Sequence, residues 1–118
     1  MKKLEKKELK LIKLSVADLG FPEGATFPEI IAKGKELGLE LCPPEIGPLF
    51  RLYYQELMGH DQPKNEWAII AMNPIISDGY PEVFRVSRND DGERYLSCRW
   101  ADPDSPFSAA YDFLFVRK

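Results

Sequence analysis

The stretch "CPPEIGPLFRLYY", Cys42 to Tyr54, stands between the clearest helical signal of the chain and a long series of β signals. How it is read decides the fold. A proline disfavours the helical region for the residue before it, so Cys42 and Pro43 are expected to be extended. "PPEIGP" reads as a turn, with one helical turn at Pro44 to Ile46. In "FRLYY", Phe50, Leu52 and Tyr54 share one face of an extended chain and Arg51 and Tyr53 the other. The aromatic content favours a strand. On this reading the sheet runs from residue 50 onward and one main helix lies before it.

That helix is "TFPEIIAKGKELG", Thr26 to Gly38. Thr26 is a good N-cap, and Glu29 stands at the capping-box position. Pro28 falls in the first turn, where its missing N–H is no loss. Phe27, Ile30, Ile31, Gly34 and Leu37 line one face at helical spacing. Gly34 lies on that apolar face, which suggests a close approach to a sheet. Gly38 ends the helix. Leu39 and Leu41 then alternate with Glu40 and Cys42.

Upstream, Leu9, Leu11, Ile12 and Leu14 read with Lys10 and Lys13 as a strand from about Leu9 to Ser15. Its lysines suit a sheet edge. Ser15 and Asp18 have capping-box spacing and predict a single helical turn closed by Gly20. Downstream, "WAIIAM", "VFRVS", "YLSCRWA" and "YDFLFVR" read as strands. "WAIIAM" is apolar throughout, as a strand covered on both faces would be. "MGHDQPKN", "NPIISDGYP", "RNDDGE" and "DPDSP" read as turns, and Asp91-Gly92 is a hairpin signal. The expected architecture is α+β: one main N-terminal helix packed on a curved, mostly antiparallel sheet of about five to six strands, arranged as a meander.

Residues 1–118 are expected to form one domain, with residues 1–8 a basic arm. Residues 1–14 carry six lysines and two glutamates, and the whole chain has a net charge of -3. The body is therefore acidic and would repel phosphate backbones. Nucleic-acid binding is left to the basic arm, as an alternative reading. No apolar run reaches the roughly 18 residues a membrane helix needs. Two cysteines without a secretory signal suggest reduced thiols and a cytoplasmic location.

Catalytic chemistry finds thin support. A cysteine nucleophile needs a base, and His60 is the one histidine. Cys42 with His60 would make a small hydrolase or transferase, although Cys42 lacks the helix N-terminus that lowers a thiol pKa. Glu45, Glu66, Asp78 and Asp102 qualify as acid–base candidates by their acidity alone. No Cys-x-x-Cys, paired histidines, EF-hand loop or phosphate loop is present, so no metal or cofactor is expected. Large rings and arginines are more telling. Tyr53, Trp67, Tyr80, Tyr95, Arg99 and Trp100 have the composition of a protein–protein hot spot. The expected function is a small binding protein that engages another protein through an aromatic sheet face.

The runs "GATFPEIIAKGKELGLELCPPEIGPLFRLYY", "NEWAIIAMNPI" and "GYPEVFRV" resemble a group of short bacterial hypothetical proteins of unknown function. The resemblance spans most of the chain. It implies a self-contained bacterial domain and assigns no site residue.

Overall fold

A computed structural model describes residues 10–117; the basic arm, residues 1–8, and Leu9 lie outside them. The order along the chain is β1 (Lys10–Ser15), β2 (Ala25–Thr26), α1 (Phe27–Glu36), β3 (Leu39–Glu40), α2 (Ile46–Met58), β4 (Trp67–Ile70), β5 (Ile75–Ser77), β6 (Tyr80–Arg88), β7 (Arg94–Trp100), β8 (Pro106–Phe107) and β9 (Asp112–Arg117). The class is α+β. Seven strands form one mostly antiparallel sheet, and β2 and β8 form a small second one.

Two expectations are corrected here. The first concerns residues 46–58, which are helix α2, not turn and strand. Ile46, Phe50 and Tyr54 are buried at intervals of four, the period of a helix face. Pro48 sits in the first turn, where its missing N–H leaves no bond unmade. Leu52, placed with Phe50 and Tyr54 by the extended reading, is instead exposed. The helix is kinked at Tyr53 (φ -122°, ψ 31°) and closed by Gly59 in the left-handed region (φ 85°).

The second correction concerns strand order. The sheet is not a meander: β9 enters between β1 and β4, antiparallel to β1 and parallel to β4. The short β3 continues the β4 side of β9, opposite Val116 and Arg117. Likewise β5 continues the β4 side of β6, and β7 runs along the other. The turn assigned to "NPIISDGYP" therefore contains β5. Asp78 (φ 51°) and Gly79 (φ 83°) make the two-residue hairpin turn to β6, since both positions are left-handed.

Other expectations hold. The Thr26–Glu29 capping box is formed in both directions. Ser15 and Asp18 exchange hydrogen bonds (2.9 and 3.1 Å), and Leu19 N–H reaches Ser15 O at 3.1 Å, which is one helical turn. Ala68, Ile69 and Ile70 of β4 are wholly buried.

The register fixes which side chains share a face. Asp112, Leu114, Ala68, Ile70, Val86 and Phe84 lie on one side; Phe113, Phe115, Ile69, Arg85 and Ser87 lie on the other. A Cβ on Gly34 would run into Phe115, and one on Gly47 would stand 2.5 Å from Phe84 Cδ2. Hence α1 and α2 cover opposite faces, each seated on a phenylalanine through a glycine. The β2–β8 ribbon extends the cover on the α1 face, where Phe27 and Phe107 pack on Phe113. The core is thus two-sided, with β4 and β9 at its centre.

Candidate binding surface

On the α1 face, the cover formed by α1 and the β2–β8 ribbon stops short of the outer half of the sheet. That half is made by the start of β4, the end of β6 and all of β7. Alternation places Trp67, Arg85, Ser97, Tyr95 and Arg99 on this side. Trp67 is 41% and Tyr95 43% exposed. Trp67, Arg85, Ser87, Asn89, Tyr95 and Ser97 line a shallow cleft of about 240 Å³. That is below the roughly 300–1,000 Å³ typical of small-molecule sites.

The arrangement is ordered by ring–guanidinium stacking. Arg85 lies over the Trp67 ring (5.7 Å) and donates through Nε to Ser97 Oγ (3.2 Å). Arg99 lies over Phe107 (4.6 Å) and Tyr111 (5.6 Å). Tyr111 packs in turn on Trp67 with ring centroids 5.8 Å apart. Two cations are thereby held among three rings on a body that is otherwise acidic. Arg99 Nε is buried without a hydrogen-bond partner, so the guanidinium keeps unused donor capacity.

Of the residues singled out in the sequence, Trp67, Tyr95 and Arg99 are brought together here. Tyr80 and Trp100 are not: they pack edge-to-face (5.6 Å) on the α2 side, beside exposed Ile75. Tyr53 stands alone at the kink of α2, exposed. Arg85, which was not anticipated, and Tyr111, which opens the strand run "YDFLFVR", also belong to the surface. The alternation of "VFRVS" carried the signal for Arg85, because it sets that side chain opposite the buried Val86. Tyr111 precedes β9 but alternates with Phe113 and Phe115 in "YDFLFVR", which puts it on the α1 face.

Cys42 is placed in the core, 4% exposed. Its N–H donates to Ala71 O (2.7 Å) and its thiol to Leu114 O (3.3 Å), and burial pushes its pKa up to about 12. The ring of His60 is in edge contact with Tyr54 (5.9 Å), and its Nδ1 lies 2.8 Å from Asp61 O. Cys42 and His60 are not hydrogen-bonded to each other, and Cys42 has the environment of a small buried hydrophobe. Native protein treated with iodoacetamide at neutral pH should be alkylated at the exposed Cys98, and at Cys42 only after unfolding. Peptide mapping of the quenched reaction reads this directly; rapid labelling of Cys42 would overturn it.

A polar cluster went unseen in the sequence. On the α2 face, Lys13 pairs with Glu66 and donates to the Tyr54 hydroxyl (2.8 Å), which donates to Glu66 Oε2 (2.7 Å). Gln62, fully buried, donates to Glu66 Oε2 (3.3 Å) and Val86 O (3.1 Å). Burial, and then the charge of Glu66, hold the Asp112 carboxyl above the usual range. An acid with a raised folded pKa costs stability once the unfolded chain ionises first. Asp112→Asn should therefore stabilise the fold at neutral pH. The gain should vanish as pH falls below the ordinary carboxylate range. Melting temperatures across pH check this; a pH-independent difference would contradict it.

Among the described residues, no group of three or more His, Cys, Asp and Glu converges as a metal site would, and no helix is long and apolar enough to cross a membrane. No protein-family model, curated protein or solved structure matches the chain.

Proposed function

We propose that this protein is a binding module that engages another protein through the open half of its α1 face. The observation that carries the reading is the Trp67–Arg85–Tyr95 surface with Arg99 and Tyr111 behind it. Tryptophan, tyrosine and arginine, partly exposed and pre-positioned by stacking, are the residues that dominate interface energetics. Little rotamer freedom remains to be lost, because each guanidinium is already fixed over a ring. The cations on an acidic body favour a partner that presents carboxylates. An inhibitor, an immunity-type protein or an accessory subunit would use such a surface.

The test is capture from the native host with wild-type protein, Trp67→Ala, Arg85→Ala and, as a control away from the surface, Tyr53→Ala. A stoichiometric protein retained by wild type and Tyr53→Ala, but lost by the other two, is the expected result. Retention by wild type and all three variants would move the binding site elsewhere. A partner with the absorbance of nucleic acid would replace the reading with one of base stacking on the same rings.

A further inference from the structure

β7 lies at the edge of the sheet, and among the described strands it pairs only with β6. A seven-residue edge without protection is unusual, because exposed edges invite pairing with another chain. β7 has no proline and no lysine, and its register with β6 is unbroken from Arg94 to Trp100. Its two arginines are engaged within the chain, Arg94 with Asp61 and Arg99 over Phe107 and Tyr111. The opposite edge, β1, does carry lysines, Lys10 and Lys13.

The backbone directions along β7 can be read from the ladder. Ala101 N–H donates to Pro81 O (2.9 Å), and Asn89 N–H to Glu93 O (2.8 Å). These rungs place the hydrogen-bonded pairs at odd-numbered positions. Tyr95, Ser97 and Arg99 therefore turn their amides toward β6. Arg94, Leu96, Cys98 and Trp100 turn theirs outward, unpaired within the sheet.

We propose that β7 is the docking edge for a second copy of this chain, the two strands pairing antiparallel about Ser97. Only outward amides can form rungs, so the two-fold axis must pass through a residue and not between two. Centring on Ser97 uses all seven residues. It sets Arg94 opposite Trp100, Tyr95 opposite Arg99, Leu96 opposite Cys98, and Ser97 opposite itself. No like charges meet, apolar faces apolar, and a guanidinium stands beside a ring on each face. Moving the centre to Leu96 or Cys98 shortens the ladder and separates both arginine–ring pairs. The contact is self-complementary, as a closed two-fold dimer requires. It joins two sheets into one and makes the Trp67–Arg85–Tyr95 surface continuous across both copies. The inference does not rest on the proposed partner, and the capture variants lie outside β7.

Sedimentation equilibrium over a wide concentration range should show mass rising from 13.5 kDa toward twice that value. Cys98→Pro removes an outward N–H that the monomer does not use, so it should abolish dimer and keep the far-UV circular dichroism. If that variant fails to fold, Leu96→Lys is read instead and should remain monomeric where wild type is dimeric. Register is tested by cross-linking. Ser97 and its copy would form a non-hydrogen-bonded pair with Cα atoms about 4.5 Å apart, within disulfide range. Cys98 and its copy would be roughly 8–9 Å apart, beyond it. Mild oxidation should therefore link Ser97→Cys/Cys98→Ser and leave wild type unlinked. Monomer at every concentration, a dimer indifferent to Cys98→Pro and Leu96→Lys, or ready oxidation of wild type through Cys98 would each overturn the proposal.

Discussion

Glu66→Ala is expected to lower the folding free energy by about 3–5 kcal/mol, the range for removing one partner of a buried ion pair. The side chain is only 7% exposed, and it serves three donors: Lys13, the Tyr54 hydroxyl and Gln62 Nε2. Deleting it leaves a cation at 19% exposure facing a hydroxyl that has lost its acceptor. Most of the loss is thus the penalty of stranded partners, and not the worth of the contact itself. The distinction is testable. Lys13→Met/Glu66→Leu removes both charges and should recover most of the loss. Urea denaturation of wild type, Glu66→Ala and the double variant reads it, with an unchanged m-value confirming that the unfolded state is the same. A loss under about 1 kcal/mol for Glu66→Ala, the scale of an exposed pair, would show the cluster to be solvated.

Gly47→Ala should cost about 1–3 kcal/mol, the scale of overpacking. Its new methyl group would stand 2.5 Å from Phe84 Cδ2, 2.7 Å from Cγ and 2.9 Å from Cβ. Rotation of the ring moves only the first of these atoms, since Cγ and Cβ lie on its axis, so α2 as a whole must lift. Gly47 is the second residue of the helix. The propensity gain of roughly 1 kcal/mol for alanine in a helix interior is therefore reduced. Gly34→Ala, in mid-helix against the wholly buried ring of Phe115, should also destabilise, although by less than the packing term alone. In both cases the sign is opposite to that of an exposed helical glycine. Thermal denaturation decides it, and stabilisation by either alanine would refute the close approach. Phe84→Ala, which removes two of the three clashing atoms, should make Gly47→Ala much less costly than it is in wild type.

How much of this was legible varies with the range of the interactions involved. The Thr26–Glu29 box, Gly34 at the sheet and the Asp91-Gly92 hairpin depend on neighbours in sequence or on one face of one helix, and all were readable. The segment at residues 46–58 was misread because Phe50 and Tyr54 fit a period of two over five residues as well as a period of four. Ile46 and Leu57, further along, break the tie toward the helix. β5 was missed although Asp78-Gly79 is the same dipeptide as Asp91-Gly92, because Pro74 and the short run "IIS" read as loop. The aromatic residues were identified by type, but alternation within each run could not say which runs adjoin. Trp67 and Tyr95 therefore meet while Trp100, on the same strand as Tyr95, points the other way. The Lys13–Tyr54–Glu66 cluster joins residues 41 and 53 positions apart, and no local pattern announces such a contact.

The position of β9 has a consequence for how the chain reaches this state. It pairs Lys10 with Arg117 and also Ala68 with Asp112, so the middle of the sheet is closed by contacts of very long sequence separation. Closing such loops costs entropy before any contact repays it, which slows folding. The β5–β6–β7 hairpins can form early, but β1 has no other strand to join among those described. A fragment without β9 would therefore leave β1, β3 and the β4–β7 strands as three unconnected pieces of the sheet and not a smaller version of the protein. Until that strand arrives, the apolar run of β4 stays open on one side, and this is the stage at which the chain is most exposed to misassembly.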